Sequence, residues 1–211
     1  MTTDGTCCVK KGRGRPKVFD REAMLDKAMM LFWQHGYEAT SLTDLVEATG
    51  AKAPTLYAEF TNKEGLFRAV VDRYMARFAT QHRAALFCDE KSVEQALRDY
   101  LQALASCFAG GDTPAGCFLV NTSATVSASS EPIADTLRAR QTDQQQTLLL
   151  FLQQRQLRGE IPSQAPLRDI ALFLSCLIHG MSVSARDGAS PEKLTQVIDT
   201  ALRLWPTLLQ A

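Results

Sequence analysis

Residues 42–57 constrain this chain more than any other stretch: Leu42-Thr43-Asp44-Leu45-Val46-Glu47-Ala48-Thr49-Gly50-Ala51-Lys52-Ala53-Pro54-Thr55-Leu56-Tyr57. Leu42, Leu45, Val46 and Thr49 recur at helical spacing, Gly50 can leave a helix at positive φ, and Pro54 suits the first turn of a new one. The pattern predicts two short helices joined by a Gly-containing turn, the helix-turn-helix unit whose second helix enters the DNA major groove. Two helices of an ordinary helical core give the same local pattern, so the flanks decide between these readings.

The chain has 211 residues and 45% hydrophobic content, enough for one domain or two small ones with a substantial core. Lys plus Arg equals Asp plus Glu at 23 each, so affinity for nucleic acid has to come from local clustering. Residues 1–80 carry 12 basic and 10 acidic side chains and residues 81–211 carry 11 and 13, which puts the slight basic excess beside the helix-turn-helix. Six cysteines (Cys7, Cys8, Cys88, Cys107, Cys117, Cys176), with no signal-peptide core after the basic N-terminus, predict reduced thiols in a cytoplasmic protein. The longest strictly apolar runs, Leu148–Leu152 and Ile170–Leu174, fall short of a bilayer span, so a soluble chain with no membrane partner is expected.

Lys10-Lys11-Gly12-Arg13-Gly14-Arg15-Pro16-Lys17 supplies five cations and no acid, and predicts a flexible basic arm over residues 1–18. Such arms lay Arg into a minor groove and Lys against phosphate, which makes Arg13, Arg15 and Lys17 candidates for DNA contact. Asp20 predicts the N-cap of a first helix over about 21–35, with Phe19 stapled onto Met24, a buried stripe of Met24, Ala28, Leu31 and Phe32, and Gly36 closing it. Thr40 and Ser41 are cap candidates for the second helix, whose outward N–H groups can hold a phosphate. A third helix from Ala53 or Pro54 to Phe60 turns Leu56 and Phe60 inward and leaves Lys52, Ala53, Thr55 and Tyr57 more exposed. Thr61 or Asn62 caps a fourth helix from Lys63 to about 80 or beyond, with Lys63 placed for a backbone phosphate.

The runs Gly36-Tyr37-Glu38-Ala39-Thr40-Ser41-Leu42, Thr55-Leu56-Tyr57-Ala58-Glu59-Phe60 and Asn62-Lys63-Glu64-Gly65-Leu66-Phe67 together strongly resemble the N-terminal domain of TetR-family transcriptional regulators. The resemblance implies an all-α homodimer that is not an enzyme. A helix-turn-helix domain over 19–62 would bind a double-stranded operator, and a linker helix with a C-terminal domain over 63–211 would bind a small-molecule inducer and dimerise. No cofactor is implied. The family's DNA contacts carry over to Thr40, Ser41, Lys52, Ala53, Thr55, Tyr57 and Lys63. Where many members cap helix 3 with Ser or Thr, this chain has Lys52 followed by Ala53-Pro54. Contact with thymine methyls and the basic arm is therefore expected to supply much of the readout, with Lys52 reading guanine directly as the alternative.

Farther along, Ser92 opens a helix over about 93–108, and Gly110–Pro114 breaks it. The next helix is expected to hold Gly116-Cys117-Phe118-Leu119-Val120-Asn121, which again resembles the family's C-terminal domain. Ser127–Glu131 reads as a loop, and Pro132 starts a long helix to about Leu157, polar and Gln-rich in its first half. A helix over about 167–185 is apolar nearly all round, and Pro191 starts a last one with Leu194, Val197, Ile198, Ala201, Leu202, Trp205 and Leu208 at intervals of three and four. In the family the last two helices form a four-helix bundle with a second subunit, and these apolar surfaces ask for such a partner. Two recognition helices one or more DNA turns apart, on a roughly palindromic operator, would follow.

A ligand pocket is expected among Phe87, Cys107, Phe108, Cys117, Asn121, Phe173, Cys176 and His179. Cys176 and His179 share a helix face and, with Cys117 or Cys107, suit a soft metal such as Cu(I). Buried cysteines acting as small hydrophobes and a satisfied core histidine account for the same residues without a metal. The chain also resembles copper-linked repressors of the family, from the arm through Trp33-Gln34-His35-Gly36-Tyr37 to Leu202-Arg203-Leu204-Trp205-Pro206. That sets Cu(I) beside an organic small molecule as inducer.

Against an enzyme stand three histidines only, His35, His82 and His179, and no phosphate loop, H-E-x-x-H or G-x-S-x-G. An architectural DNA-binding protein without sequence preference is the remaining rival, and it predicts equal affinity for scrambled and palindromic duplexes.

Overall fold

The computed structural model describes residues 20–210, apart from the side chains of residues 79–81. The basic arm with Arg13, Arg15 and Lys17, and the Phe19 staple, lie outside the described residues. Every regular element among the described residues is helical.

Helix α1 (Arg21–Ala39) begins where Asp20 accepts from the Ala23 N–H at 3.0 Å. Gly36 breaks it at φ 81°, as expected, but a further turn to Ala39 follows. That turn carries Tyr37 back onto the core, stacked on Phe32 and edge-on to Phe67. Helices α2 (Leu42–Thr49) and α3 (Ala53–Phe60) are separated by Gly50 at φ 70°. Asn62 caps α4 (Lys63–Tyr74) by accepting from the Gly65 N–H at 2.7 Å. The single fourth helix expected to about 80 is instead interrupted by a π-turn (Met75–Ala79) before α5 (Thr80–Leu86). Such bulges inside helices occur often at functional sites.

Ser92 caps α6 (Val93–Ala109). Helix α7 (Phe118–Ser123) starts later than expected, because Gly116 sits at φ 85° and Cys117 is its N-cap. A 3₁₀ turn (Ala128–Ser130) fills the expected loop, and α8 (Glu131–Leu157), α9 (Leu167–Arg186), α10 (Pro191–Arg203) and α11 (Trp205–Leu208) complete the chain.

Two apolar cores result. The larger joins α6, the second half of α8, α9 and α10 around residues such as Leu97, Phe108, Phe151, Ile178 and Ile198. The smaller holds α1–α4 together through Met29, Phe32, Trp33, Leu45, Leu56 and Phe67. Each fully buried Phe or Leu contributes about 2 kcal/mol by removal of apolar area from water. This second core also takes in Phe118, Leu119, Ile133 and Leu137, so α7 and the start of α8 pack against the helix-turn-helix body.

Helix α9 is, among the described residues, long and apolar enough to cross a bilayer by length and composition, which the short apolar runs did not suggest. It packs instead against α6, α8 and α10, burying Ile170, Leu174, Ile178 and Met181. Leu172 on α9 remains 50% exposed, and Val197 on α10 and Leu204 at its C-cap are 42% and 47% exposed.

Candidate DNA-binding surface and ligand cavity

The start of α2 is built by a capping box. The Ser41 hydroxyl accepts from the Asp44 N–H at 3.1 Å, and Asp44 Oδ2 accepts from the Ser41 N–H at 2.8 Å. The Ser41 hydroxyl and backbone together hold the Asp44 carboxyl below its ordinary range. Of the outward N–H groups expected to meet phosphate, the box consumes two and leaves those of Leu42 and Thr43, which a first turn cannot satisfy internally. Ser41 and not Thr40 caps α2: Thr40 is 1% exposed and its hydroxyl donates to the Gly36 carbonyl at 2.8 Å, so its side chain braces the α1–α2 turn from inside.

Lys52 is exposed at the N-cap of α3 and makes no side-chain cap, in keeping with its departure from a Ser or Thr. Leu56 and Phe60 are buried, Ala53 and Thr55 are half-buried, and Tyr57 is 51% exposed. The end of α3 is fixed twice. Arg21 reaches from α1 to Glu59 at 2.7 Å and lies over the Phe60 ring. A three-residue γ-turn then joins α3 to α4: the Asn62 N–H donates to the Phe60 carbonyl at 2.7 Å around Thr61, at φ 67° and ψ −49°. Turns of this hand are rare and strained.

Lys63 is more constrained than a free phosphate contact would be. Its ammonium lies 4.3 Å from the Tyr37 ring centre and 3.5 Å from the Glu38 carbonyl. Partial burial lowers its pKa, against the pull of Glu38 and Asp44. The side chain is thereby held beside the start of α2.

Behind this surface lies a cavity of about 590 Å³ between α4, the π-turn, α5, α6, α7, α8 and α9. Of the expected residues, Phe108, Cys117 and His179 line it. The others do not. Phe87 packs edge-on against Phe151, and the Asn121 amide is tied to the Ala115 carbonyl at 2.8 Å beside Gly116. Cys107 is half-buried near Cys117, Phe173 is half-buried against the larger core, and Cys176 is exposed. Cys117 and His179 thus share the cavity wall without Cys176, and no group of three or more His, Cys, Asp or Glu side chains that could hold a metal occurs among the described residues.

What sequence reasoning missed is the wall from the end of α4, the π-turn, α5 and α8: Tyr74, Met75, His82, Gln141 and Gln144. The Gln-rich polar half of α8 was the available signal. Tyr74 lies with its hydroxyl 3.4 Å from Cys117 Sγ, and burial pushes both groups' pKa values up. Cys117 is followed by Phe118, whose ring meets Trp33, Phe67 and Tyr74 at 5.9, 5.8 and 5.3 Å. One dipeptide thus touches both the cavity and the core of the helix-turn-helix.

A helix-turn-helix seated on its own small core, with a second helical core enclosing a cavity behind it, defines a DNA-binding regulator with a built-in ligand site. Residues 24–70 match the family described as bacterial regulatory proteins, tetR family, and residues 93–201 match the tetracyclin repressor-like C-terminal domain. The chain belongs to the TetR family, whose members are transcriptional regulators, act as homodimers and respond to small-molecule inducers. It is 67% identical over 210 residues, 100% of both chains, to the HTH-type transcriptional repressor ComR of Escherichia coli (strain K12). It is 28% identical over 198 residues to the repressor BdcR of the same strain, covering 93% of this chain and 94% of that one. A cysteine mutant of the TetR-family regulator CifR, solved with 26-bp double-strand operator DNA, superposes with a TM-score of 0.86 at 32% identity, over 91% of this chain and 100% of that one.

Proposed function

We propose that the chain is a cytoplasmic repressor that binds a palindromic operator as a dimer and leaves it when an inducer fills the cavity. Residues 1–18 serve as a basic arm, with Arg13 and Arg15 in the minor groove and Lys17 on phosphate. Residues 19–62 carry the helix-turn-helix, in which Lys52, Ala53, Thr55 and Tyr57 face bases while Ser41, Lys63 and the backbone around Thr40 meet the DNA backbone. Residues 63–211 hold the cavity and dimerise through the last two helices. The observation that supports release most is the Cys117–Phe118 junction, since a ligand that displaces the cavity wall also displaces a ring seated among Trp33 and Phe67. Likeness to a named repressor and to an operator-bound regulator supports the DNA half.

An organic inducer is favoured by the size of the cavity, which falls in the range of small-molecule sites. Cu(I) remains a second reading because Cys107 and Cys117 lie close enough for each other's charge to matter. Burial first, and Cys117 second, push the Cys107 thiol up to about 11. The deciding experiment is fluorescence anisotropy of a labelled duplex from upstream of this gene, titrated first with protein and then with inducer. Collapse at about one Cu(I) per subunit under reducing conditions, lost in Cys107→Ser and Cys117→Ser, selects copper. Collapse only with organic molecules selects the cavity reading, and operator binding that no ligand alters contradicts ligand release.

A further inference from the structure

The charges around the cavity lie at its mouth and are mostly engaged. Arg140 is held by Asp72 at 2.7 Å and by Asp143 at 3.4 Å, and exposed Arg83 lies over the Phe87 ring. The buried floor has a different character. Leu104, Phe108 and Leu119 make it apolar, and its polar side-chain atoms belong to Tyr74, Tyr100, Cys117 and His179.

Burial keeps this floor uncharged near neutral pH. It raises both tyrosine hydroxyls and the Cys117 thiol, and lowers His179 and His82. Tyr74 and Cys117 satisfy each other, and Gln144 lies beside Tyr100. His179 Nε2 is different: it is buried and has no hydrogen-bond partner among the described residues. A buried polar nitrogen left unpaired is costly, and an incoming group that pairs with it recovers that cost.

We infer that the cavity takes an uncharged organic molecule, with an aromatic or alicyclic body over Leu104, Phe108 and Leu119 and a hydroxyl, amide or carbonyl group hydrogen-bonded to His179 Nε2. The inference rests on the proposal that this cavity takes the inducer. A carboxylate or ammonium on the floor loses its hydration and meets no opposite charge there.

Four probes of nearly equal shape test this by titration calorimetry on the full chain: 2-phenylethanol and phenylacetamide, which are neutral, phenylacetate, and 2-phenylethylammonium. The neutral pair is expected to bind at least about tenfold more tightly than either ion. His179→Leu, which keeps bulk and loses the ring nitrogen, is expected to weaken the neutral probes about tenfold, and His179→Gln to restore part of the loss. An ion that binds as tightly as the neutral pair overturns the inference. So does the absence of neutral binding up to about 10 mM, or full affinity in His179→Leu. The same probes are added to the operator complex. Neutral binding that leaves the operator bound contradicts the inducer proposal and not the ligand class. Release by phenylacetate alone contradicts the ligand class and not the inducer proposal.

Discussion

The Tyr74 hydroxyl lies 3.4 Å from Cys117 Sγ, while the Tyr74 ring packs edge-on against Trp33 at 5.4 Å. One side chain at the end of α4 therefore contacts the cavity wall with its tip and the helix-turn-helix core with its ring. Tyr74→Phe keeps the ring and removes the tip. We expect this variant to bind operator within about threefold of the parent, while the loss of affinity that inducer causes shrinks about tenfold or more. Operator titrations with and without inducer read both quantities.

The junction of α3 and α4 gives a stability prediction of two signs. Thr61 occupies positive φ in the γ-turn, a conformation that costs a β-branched residue about 1 kcal/mol relative to glycine. Thr61→Gly is expected to stabilise the chain by up to that amount. Gly65→Ala should do the opposite, because an added Cβ would sit 2.1 Å from the Phe60 carbonyl oxygen, and backbone has to move. We expect a loss of about 2–4 kcal/mol in urea denaturation, with α3 displaced and operator affinity reduced.

Helices α1 and α4 are clamped by Arg73, which donates to both oxygens of Asp26 at 3.0 and 3.1 Å. The guanidinium holds the Asp26 carboxyl below its ordinary value of 3.8. A lowered folded pKa contributes stability that is present above the unfolded value and is lost as pH falls through the folded one. Asp26→Asn is therefore expected to cost about 1 kcal/mol at neutral pH, discounted for partial exposure, and progressively less as the medium becomes more acidic than the unfolded carboxyl. Urea melts of parent and variant across that range check it. A difference that grows on acidification would contradict the assignment.

Much of the frame is legible in the sequence. Asp20, Ser41, Asn62, Ser92 and Pro191 mark helix starts because their side chains act within three or four residues. The inward turn of Leu56 and Phe60 on α3 follows from period alone. The π-turn at Met75–Ala79 was not legible, since a one-residue change of helical register leaves no local signal and here coincides with Phe78 packing on Trp33. Nor could spacing say which side of α9 faces the cavity. Cys176 and His179 are three residues apart, yet one is exposed and the other lines the cavity. Thr40 shows the same limit at the DNA surface: a capping hydroxyl and a buried brace look alike in sequence.

Helix α9 leaves Leu172 half exposed, and Val197 on α10 and Leu204 at its C-cap are nearly as open. An apolar stripe shared by the last two long helices fits the bundle through which the family dimerises. Leu172→Arg places a charge in that contact. We expect a shift from dimer to monomer in sedimentation at micromolar concentration and a fall of about a hundredfold or more in operator affinity, since two half-sites no longer bind together. A dimer of unchanged strength would place the interface elsewhere.

Specific recognition by a dimer is the claim on which the rest depends. The direct measurement is binding of the full chain to a labelled duplex from upstream of its own gene and to a scrambled duplex of equal length, across a salt series. Two subunits per duplex, and a preference of roughly a thousandfold or more over the scrambled sequence, are expected. Equal affinity for both duplexes with the same salt slope would contradict the account and leave a DNA-coating protein in its place.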